Sequence, residues 1–213
     1  MHSFSHRDYF RRYKLNVEQY GEILVAEAFH GDKMGDVQPG YDIRVCNAAF
    51  EKALRTVGID PPKTAMDETD GIRIEVKSKL SRTGGGRASV VHCNDCKLDG
   101  RLSKKGIQRL GMTHLAIIIV DPGSRADGDP HQNEGRIENA WLLSAKKARE
   151  MRRKDCKTQC IYIQQLRNEC SSEDFFEITR LLNRAANEQV GDVFPKCSHA
   201  ISRAALPVEE NRP

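Results

Sequence analysis

Hydrophobic and polar residues alternate along the stretch 72–77, whose sequence is Ile-Arg-Ile-Glu-Val-Lys. An alternation of period two predicts a β-strand with one buried face. Glu75 and Lys77 are therefore expected to share one face of this strand, with the apolar side chains directed toward the core. A short apolar segment at 43–45 follows a Pro-Gly turn and predicts another strand. Asp42 opens that segment, so a carboxylate from a second strand is expected beside Glu75 and Lys77.

Similar patterns predict the other elements of the chain. Apolar residues recur at helical spacing within residues 7–30, which predicts one helix or two helices joined end to end. The uniformly apolar run at 115–120 is typical of a strand that is buried on both faces of a mixed or parallel sheet. Residues 31–40 are rich in Gly and Asp and predict a loop. Further helices are predicted at 48–57, 97–111, 145–151 and 173–186, and further strands at 88–92, 138–143 and 161–163. This order predicts an α/β fold with a central mixed β-sheet flanked by helices.

Length and composition fit one globular domain. The chain has 213 residues, of which 38% are hydrophobic and 30% are charged, and its net charge of +4 is too small to argue for nucleic acid by itself. A single domain is predicted at residues 1–190, followed by a mobile C-terminal tail at 191–213 that is rich in Pro, Ser and charged residues. No apolar run reaches membrane-spanning length, and the N-terminus lacks the apolar segment of a signal peptide. We therefore expect a cytoplasmic protein without a membrane partner.

Asp42, Glu75 and Lys77 are a residue set suited to metal-assisted hydrolysis of a phosphodiester. Mg²⁺ prefers oxygen ligands, usually one or two carboxylates together with waters and phosphate oxygens of the substrate. Asp42 and Glu75 can supply such ligands. Lys77 can orient or help to deprotonate the attacking water and offset the charge that grows on the phosphate.

The sequence Gly-Tyr-Asp-Ile at 40–43, followed by Glu-Val-Lys at 75–77, resembles the motif of the PD-(D/E)xK, or restriction-endonuclease-like, nuclease superfamily. The resemblance is closest to type II restriction or phage-defence endonucleases and extends over residues 20–143. It departs from the family pattern in the long interval between Asp42 and Glu75. It implies a restriction-endonuclease-like core in which Asp42 and Glu75 bind Mg²⁺, for which Mn²⁺ can substitute. Lys77 would act on the nucleophilic water.

The resemblance adds Glu22 as a third acidic site residue. Residues 21–27 (Gly-Glu-Ile-Leu-Val-Ala-Glu), followed by Pro-Gly-Tyr-Asp at 39–42, are similar to the opening of many superfamily members, in which a glutamate of the first helix reaches toward the metal. By that resemblance Glu22 would support the metal or a second ion. The alternative is that Glu18 and Glu22 are two solvated acids on a helix surface.

Basic residues after Lys77 predict where DNA would lie. A triple glycine at 84–86 predicts a flexible hairpin tip between two strands, and its basic flanks suit a loop that contacts a DNA backbone. The basic stretch at 146–157 is either a solubilising face or a phosphate-contacting surface. The predicted DNA contacts are Ser78, Lys79, Arg82, Arg87, Lys104 and Lys105.

Three functions follow from these patterns. The first is a metal-dependent DNA endonuclease of the restriction or defence type, expected to act as a homodimer because one site per chain must cut both strands of a duplex. The second is a junction-resolving or repair nuclease of the same fold. The third is a zinc-stabilised nucleic-acid-binding module without cleavage, based on the CxxC spacing of Cys93 and Cys96 and the looser pair Cys156 and Cys160. The chain has seven cysteines in all, and the simpler interpretation is that they are ordinary reduced thiols.

Overall fold

A computed structural model describes residues 9–10, 15–34, 41–61, 71–83, 86–92, 112–123, 134–152 and 160–189. Its helices are α1 Val17–Ala28, α2 Asn47–Arg55, α3 Ala145–Met151, α4 Ile163–Asn168 and α5 Thr179–Gln189. Its strands are β1 Tyr9–Phe10, β2 Leu15–Asn16, β3 Asp32–Lys33, β4 Ile43–Val45, β5 Ile72–Leu80, β6 Arg82–Thr83, β7 Gly86–Arg87, β8 Val90–His92, β9 His114–Val120, β10 Ile137–Ser144, β11 Cys160–Tyr162 and β12 Phe175–Glu177. The predicted helix at 97–111 and the predicted tail at 191–213 lie outside the described residues.

The centre of the fold is a six-stranded mixed sheet with the strand order β12-β10-β9-β5-β4-β3. Strands β5 and β9 run parallel, whereas the other neighbouring pairs are antiparallel. Helices flank this sheet, so the predicted α/β class with a central mixed sheet is confirmed. Every residue of β9 is buried, as its uniformly apolar sequence predicts.

Two hydrophobic cores lie on opposite faces of the sheet. The first core is covered by α1, α2 and α5 and includes Leu24, Phe50 and Leu182. The second core is covered by α3 and α4 and includes Ile117 and Trp141. Since side chains alternate between faces along a strand, the interior strands β9 and β10 contribute to both cores. The four small strands β6, β7, β8 and β11 form two separate antiparallel pairs, β6 with β7 and β8 with β11.

Strand β5 agrees with its sequence prediction except at Glu75. Its parallel register with β9 places Glu75 opposite Leu115 and Lys77 opposite Ile117, on the face of the second core. Only 1% of Glu75 is exposed. The other charged side chains on this face of β5 are half-buried, so the predicted half-buried strand is confirmed and the burial of Glu75 is what the sequence pattern did not predict.

Helix α1 starts later than the periodicity of residues 7–30 predicts. It begins at Val17, after β1 and β2 have paired with each other in an antiparallel hairpin. Asn16 caps the helix: its Oδ1 accepts a hydrogen bond of 2.8 Å from the backbone N–H of Gln19, whose side chain accepts in return from Asn16 N–H. This reciprocal capping box satisfies backbone donors that a longer helix would have paired internally and marks the true start of α1.

The predicted helix at 173–186 is wrong in its first part. Phe175 and Phe176 belong to β12, which pairs antiparallel with β10, and the helix begins at Thr179. Phe175 lies in the second core and Phe176 in the first, as consecutive residues of a strand require. Helix α4 was not predicted from the sequence. In the main sheet, β12 lies beside β10 and forms the edge strand. Within the described ranges, no helix has the length and apolar character needed to cross a membrane.

Candidate active site

Asp42 lies immediately before β4 and is fixed to β5 through both its backbone and its side chain. Its N–H donates to the carbonyl of Ile74 over 2.9 Å, and its Oδ2 accepts from the N–H of Val76 over 2.7 Å. Because β4 begins only at Ile43, the carboxylate takes the place of a backbone carbonyl as the acceptor for Val76. The two bonds lie on either side of Glu75, so they fix Asp42 to the part of the β5 backbone that carries Glu75.

Glu75 and Lys77 form an ion pair on the second-core face of β5. Lys77 Nζ is 3.1 Å from Glu75 Oε1, and 17% of the Lys77 side chain is exposed. An ionised carboxylate that is removed from water requires a compensating cation or strong hydrogen bonds. Lys77 supplies a cation to the buried Glu75, and it is the member of the pair that reaches solvent.

Glu22 is on α1 and is held by a cation from the edge of the sheet. Lys33 Nζ lies 2.7 Å from Glu22 Oε2. Burial raises the pKa of Glu22, while the ion pair with Lys33 lowers it; the nearby charges of Asp42 and Glu18 raise it. Asp42 is therefore one of the charged groups that act on the Glu22 carboxylate.

A close approach between α1 and β5 brings Glu22 toward these strands. A Cβ atom placed on Gly21 would lie only 1.8 Å from Ser78 Oγ and 2.9 Å from Ser78 Cβ. Only glycine permits this separation of helix and strand. Ser78 is 7% exposed, and its hydroxyl has no hydrogen-bond partner among the described residues. The prediction that Ser78 contacts DNA is wrong, because this side chain lies beneath α1 and not on the protein surface.

The other predicted DNA-contact residues differ in their exposure to solvent. Lys79 is half-buried, and its Nζ donates to the carbonyl of Val90 over 2.8 Å, so it joins β5 to β8. Arg82 and Arg87 are exposed and stand opposite each other in the β6–β7 ladder, which agrees with the predicted hairpin. Lys104 and Lys105 lie outside the described residues. Of the described contacts, the hairpin arginines are therefore the ones open to a ligand.

The donor set of Asp42 and Glu75 fits Mg²⁺. Both supply hard carboxylate oxygens, and a protein usually gives Mg²⁺ one or two carboxylates, with waters and substrate completing the coordination. In the part of the chain that the structure describes, no group of three or more His, Cys, Asp or Glu side chains is arranged to hold a metal. Glu22 is thus paired with Lys33 and is not gathered with Asp42 and Glu75 into a three-carboxylate group.

Lys33 is the site residue that the sequence did not reveal. The Gly- and Asp-rich stretch at 31–40 predicts a loop, whereas Asp32 and Lys33 form β3 at the edge of the main sheet. A two-residue strand carries too little periodicity to be recognised. Lys33 pairs with Ile43 in the ladder between β3 and β4, which places it one position from Asp42.

Two surface cavities lie elsewhere on the molecule. One has a volume of about 470 Å³ and lies between α1, α2 and α5, with Ala53 and Leu181 among its lining residues. The other, of about 530 Å³, is lined by Ile59 and Phe176 among others. Neither of these two cavities is lined by Asp42, Glu75 or Lys77.

No model of a known protein family matches the chain, and no curated protein matches its sequence. The chemistry of the site is therefore inferred from its own residues.

Proposed function

We propose that the chain is a metal-dependent DNA endonuclease with a restriction-endonuclease-like fold, of the restriction or defence type. It hydrolyses phosphodiester bonds and cuts both strands of a duplex as a homodimer. The observation that carries the proposal is the pair of hydrogen bonds that fix Asp42 to β5 on either side of Glu75. These bonds hold the Asp42 carboxylate against the backbone of β5, next in the chain to the ion-paired Glu75 and Lys77.

Each of these residues has a chemical role in the proposed reaction. Asp42 and Glu75 would hold Mg²⁺, which when bound supplies Lewis-acid activation of the phosphate and of a water. Lys77, 3.1 Å from Glu75 Oε1 and partly open to solvent, would orient the attacking water and stabilise negative charge on the phosphate. The exposed Arg82 and Arg87 would contact DNA phosphates and fix the position of the duplex.

A junction-resolving or repair nuclease would use the same residues, so substrate preference is what separates it from the first proposal. For the zinc-module alternative, the structure describes one predicted ligand, Cys160, which is buried in β11. Its remaining predicted ligands Cys93, Cys96 and Cys156 lie outside the described residues.

The test is DNA cleavage with and without Mg²⁺ on supercoiled, linear and branched substrates. Asp42→Asn should abolish metal-dependent cutting, and its amide oxygen can still accept the hydrogen bond from Val76. Lys77→Met should reduce the single-turnover rate by about 10²–10³-fold, the usual loss when one charge-stabilising group is removed. Preferential cutting of branched DNA would favour the junction-resolving version.

The matched control is Lys147→Met. Lys147 is also a largely buried lysine, with 19% of its side chain exposed, and it also pairs with a carboxylate, that of Glu169. Because Lys147 lies in the basic stretch at 146–157, the comparison is made at saturating DNA, where we expect this variant to cleave within a few-fold of the wild type. Cleavage that persists in EDTA, or an equal loss in Lys77→Met and Lys147→Met, would contradict the proposed mechanism. DNA binding without cleavage of any substrate would favour the non-cleaving module.

A further inference from the structure

Lys33 and Glu22 form an ion pair at the margin of the proposed metal site. Lys33 Nζ lies 2.7 Å from Glu22 Oε2, and both side chains are only partly exposed. Lys33 is also close to Asp42 along the backbone, since the N–H of Met34 donates to the carbonyl of Asp42 over 2.7 Å. A positive charge thus lies beside two acidic residues that come from different elements, α1 and the segment before β4.

The ammonium group of Lys33 opposes the binding of a divalent cation beside Glu22. A neighbouring cation stabilises a carboxylate that lies near other negative charges. Lys33 stabilises Glu22 in this way. A divalent ion bound by Asp42 would attract Glu22 in the same way, and the two cations would then compete for one carboxylate.

We propose that Lys33 is a positioning residue which holds Glu22 at the margin of the Asp42 site and competes with a bound divalent ion for the Glu22 carboxylate. The inference rests on the proposed function, because it requires the metal site at Asp42 and Glu75. Lys33 thereby sets the metal concentration at which the site fills. In this proposal Glu22 becomes a ligand of the divalent ion only when the ion displaces Lys33.

The proposal is tested by Mn²⁺ binding to the full chain without DNA, measured from the electron paramagnetic resonance signal of free Mn²⁺. Lys33→Met should lower the Mn²⁺ dissociation constant about tenfold, since it removes both a competitor for Glu22 and a like charge near the ion. Lys33→Arg retains the cation and should restore the wild-type value to within about threefold. Lys147→Met removes an ion-paired lysine of α3 and should leave Mn²⁺ binding unchanged.

A second background separates exchange of Glu22 from a general charge effect. In a Glu22→Gln protein, Lys33→Met should change the Mn²⁺ dissociation constant by less than about threefold, because the shared carboxylate is gone. An equal tenfold effect in both backgrounds would overturn the proposal, as would unchanged Mn²⁺ binding in a folded Lys33→Met protein. If Lys33→Met does not fold, Lys33→Gln provides the same comparison.

The outcomes also distinguish this inference from the proposed function. Failure of the wild-type chain to bind Mn²⁺ or to cleave DNA would refute the metal-dependent nuclease. Wild-type binding and cleavage together with no effect of Lys33→Met would refute only the role of Lys33.

Discussion

Gly21→Ala tests whether the spacing of α1 and β5 depends on a missing side chain. The added methyl group would lie 1.8 Å from Ser78 Oγ, 2.9 Å from Ser78 Cβ and 3.3 Å from Ile118 Cδ1. Side-chain atoms do not approach this closely, so either Ser78 must rotate or the helix must move outward. Ser78 is buried on the face of β5 that packs against α1, which leaves the hydroxyl little space for rotation.

The expected magnitude follows from two opposing effects. Overpacking of a buried contact costs about 1–3 kcal/mol, whereas replacing glycine by alanine within a helix favours folding by about 1 kcal/mol. With a contact as short as 1.8 Å the cost should be near the upper end of its range. We therefore expect Gly21→Ala to lower the free energy of unfolding by about 1–2 kcal/mol.

A double-mutant cycle with Ser78→Ala isolates this contact. Ser78→Ala removes the closest atom, and by itself it should be neutral or stabilising by up to about 1 kcal/mol, because the hydroxyl has no described hydrogen-bond partner. In the Ser78→Ala background, Gly21→Ala should cost at least about 1 kcal/mol less than in the wild type. Urea unfolding followed by circular dichroism measures all four proteins. The reasoning would be refuted if Gly21→Ala left the free energy of unfolding unchanged, or if the effects of Gly21→Ala and Ser78→Ala added to within about 0.3 kcal/mol.

Two further predictions concern pH and salt. Burial lowers the pKa of His114 to about 4, so the unfolded chain binds more protons than the folded protein between that value and the ordinary pKa of about 6.5. The free energy of unfolding should fall by about 3 kcal/mol as the pH is lowered through this window. The variant His114→Phe keeps a ring against Phe50 but cannot titrate. Its free energy of unfolding in urea should therefore lack that part of the pH dependence. For the hairpin, replacing Arg82 and Arg87 together by Ser should weaken DNA binding and reduce the slope of log affinity against log salt by about 2, measured by fluorescence anisotropy. An unchanged slope would exclude the β6–β7 hairpin from the DNA interface.

The strands around the site were predictable because their sequences carry strong local patterns. The alternation at 72–77 and the apolar run at 115–120 correspond to β5 and β9. Helix α3 was predicted with its observed bounds, Ala145–Met151, and Ser144 caps it by accepting from Lys147 N–H. Short elements such as β3 and α4 were missed because two to six residues contain too little periodicity.

Other errors arose where one local pattern permits two structures. Apolar residues at helical spacing continue upstream of Val17, but pairing of β1 with β2 prevents the helix from extending there. Phe175 and Phe176 fit the apolar face of a helix in sequence, yet the exposed edge of β10 pairs with them as a strand. In both cases pairing with a neighbouring strand outweighed local helical preference.

The sequence by itself determined the α/β class, the central strands and the set of Asp42, Glu75 and Lys77, because strand periodicity and residue chemistry are local properties. Only the tertiary structure decided that Glu75 is buried, that Ser78 lies under Gly21 and that Glu22 pairs with Lys33. These contacts join different helices and strands, and their existence depends on how closely those elements pack. Packing distances are fixed by the whole core, so no local pattern of residues contains them.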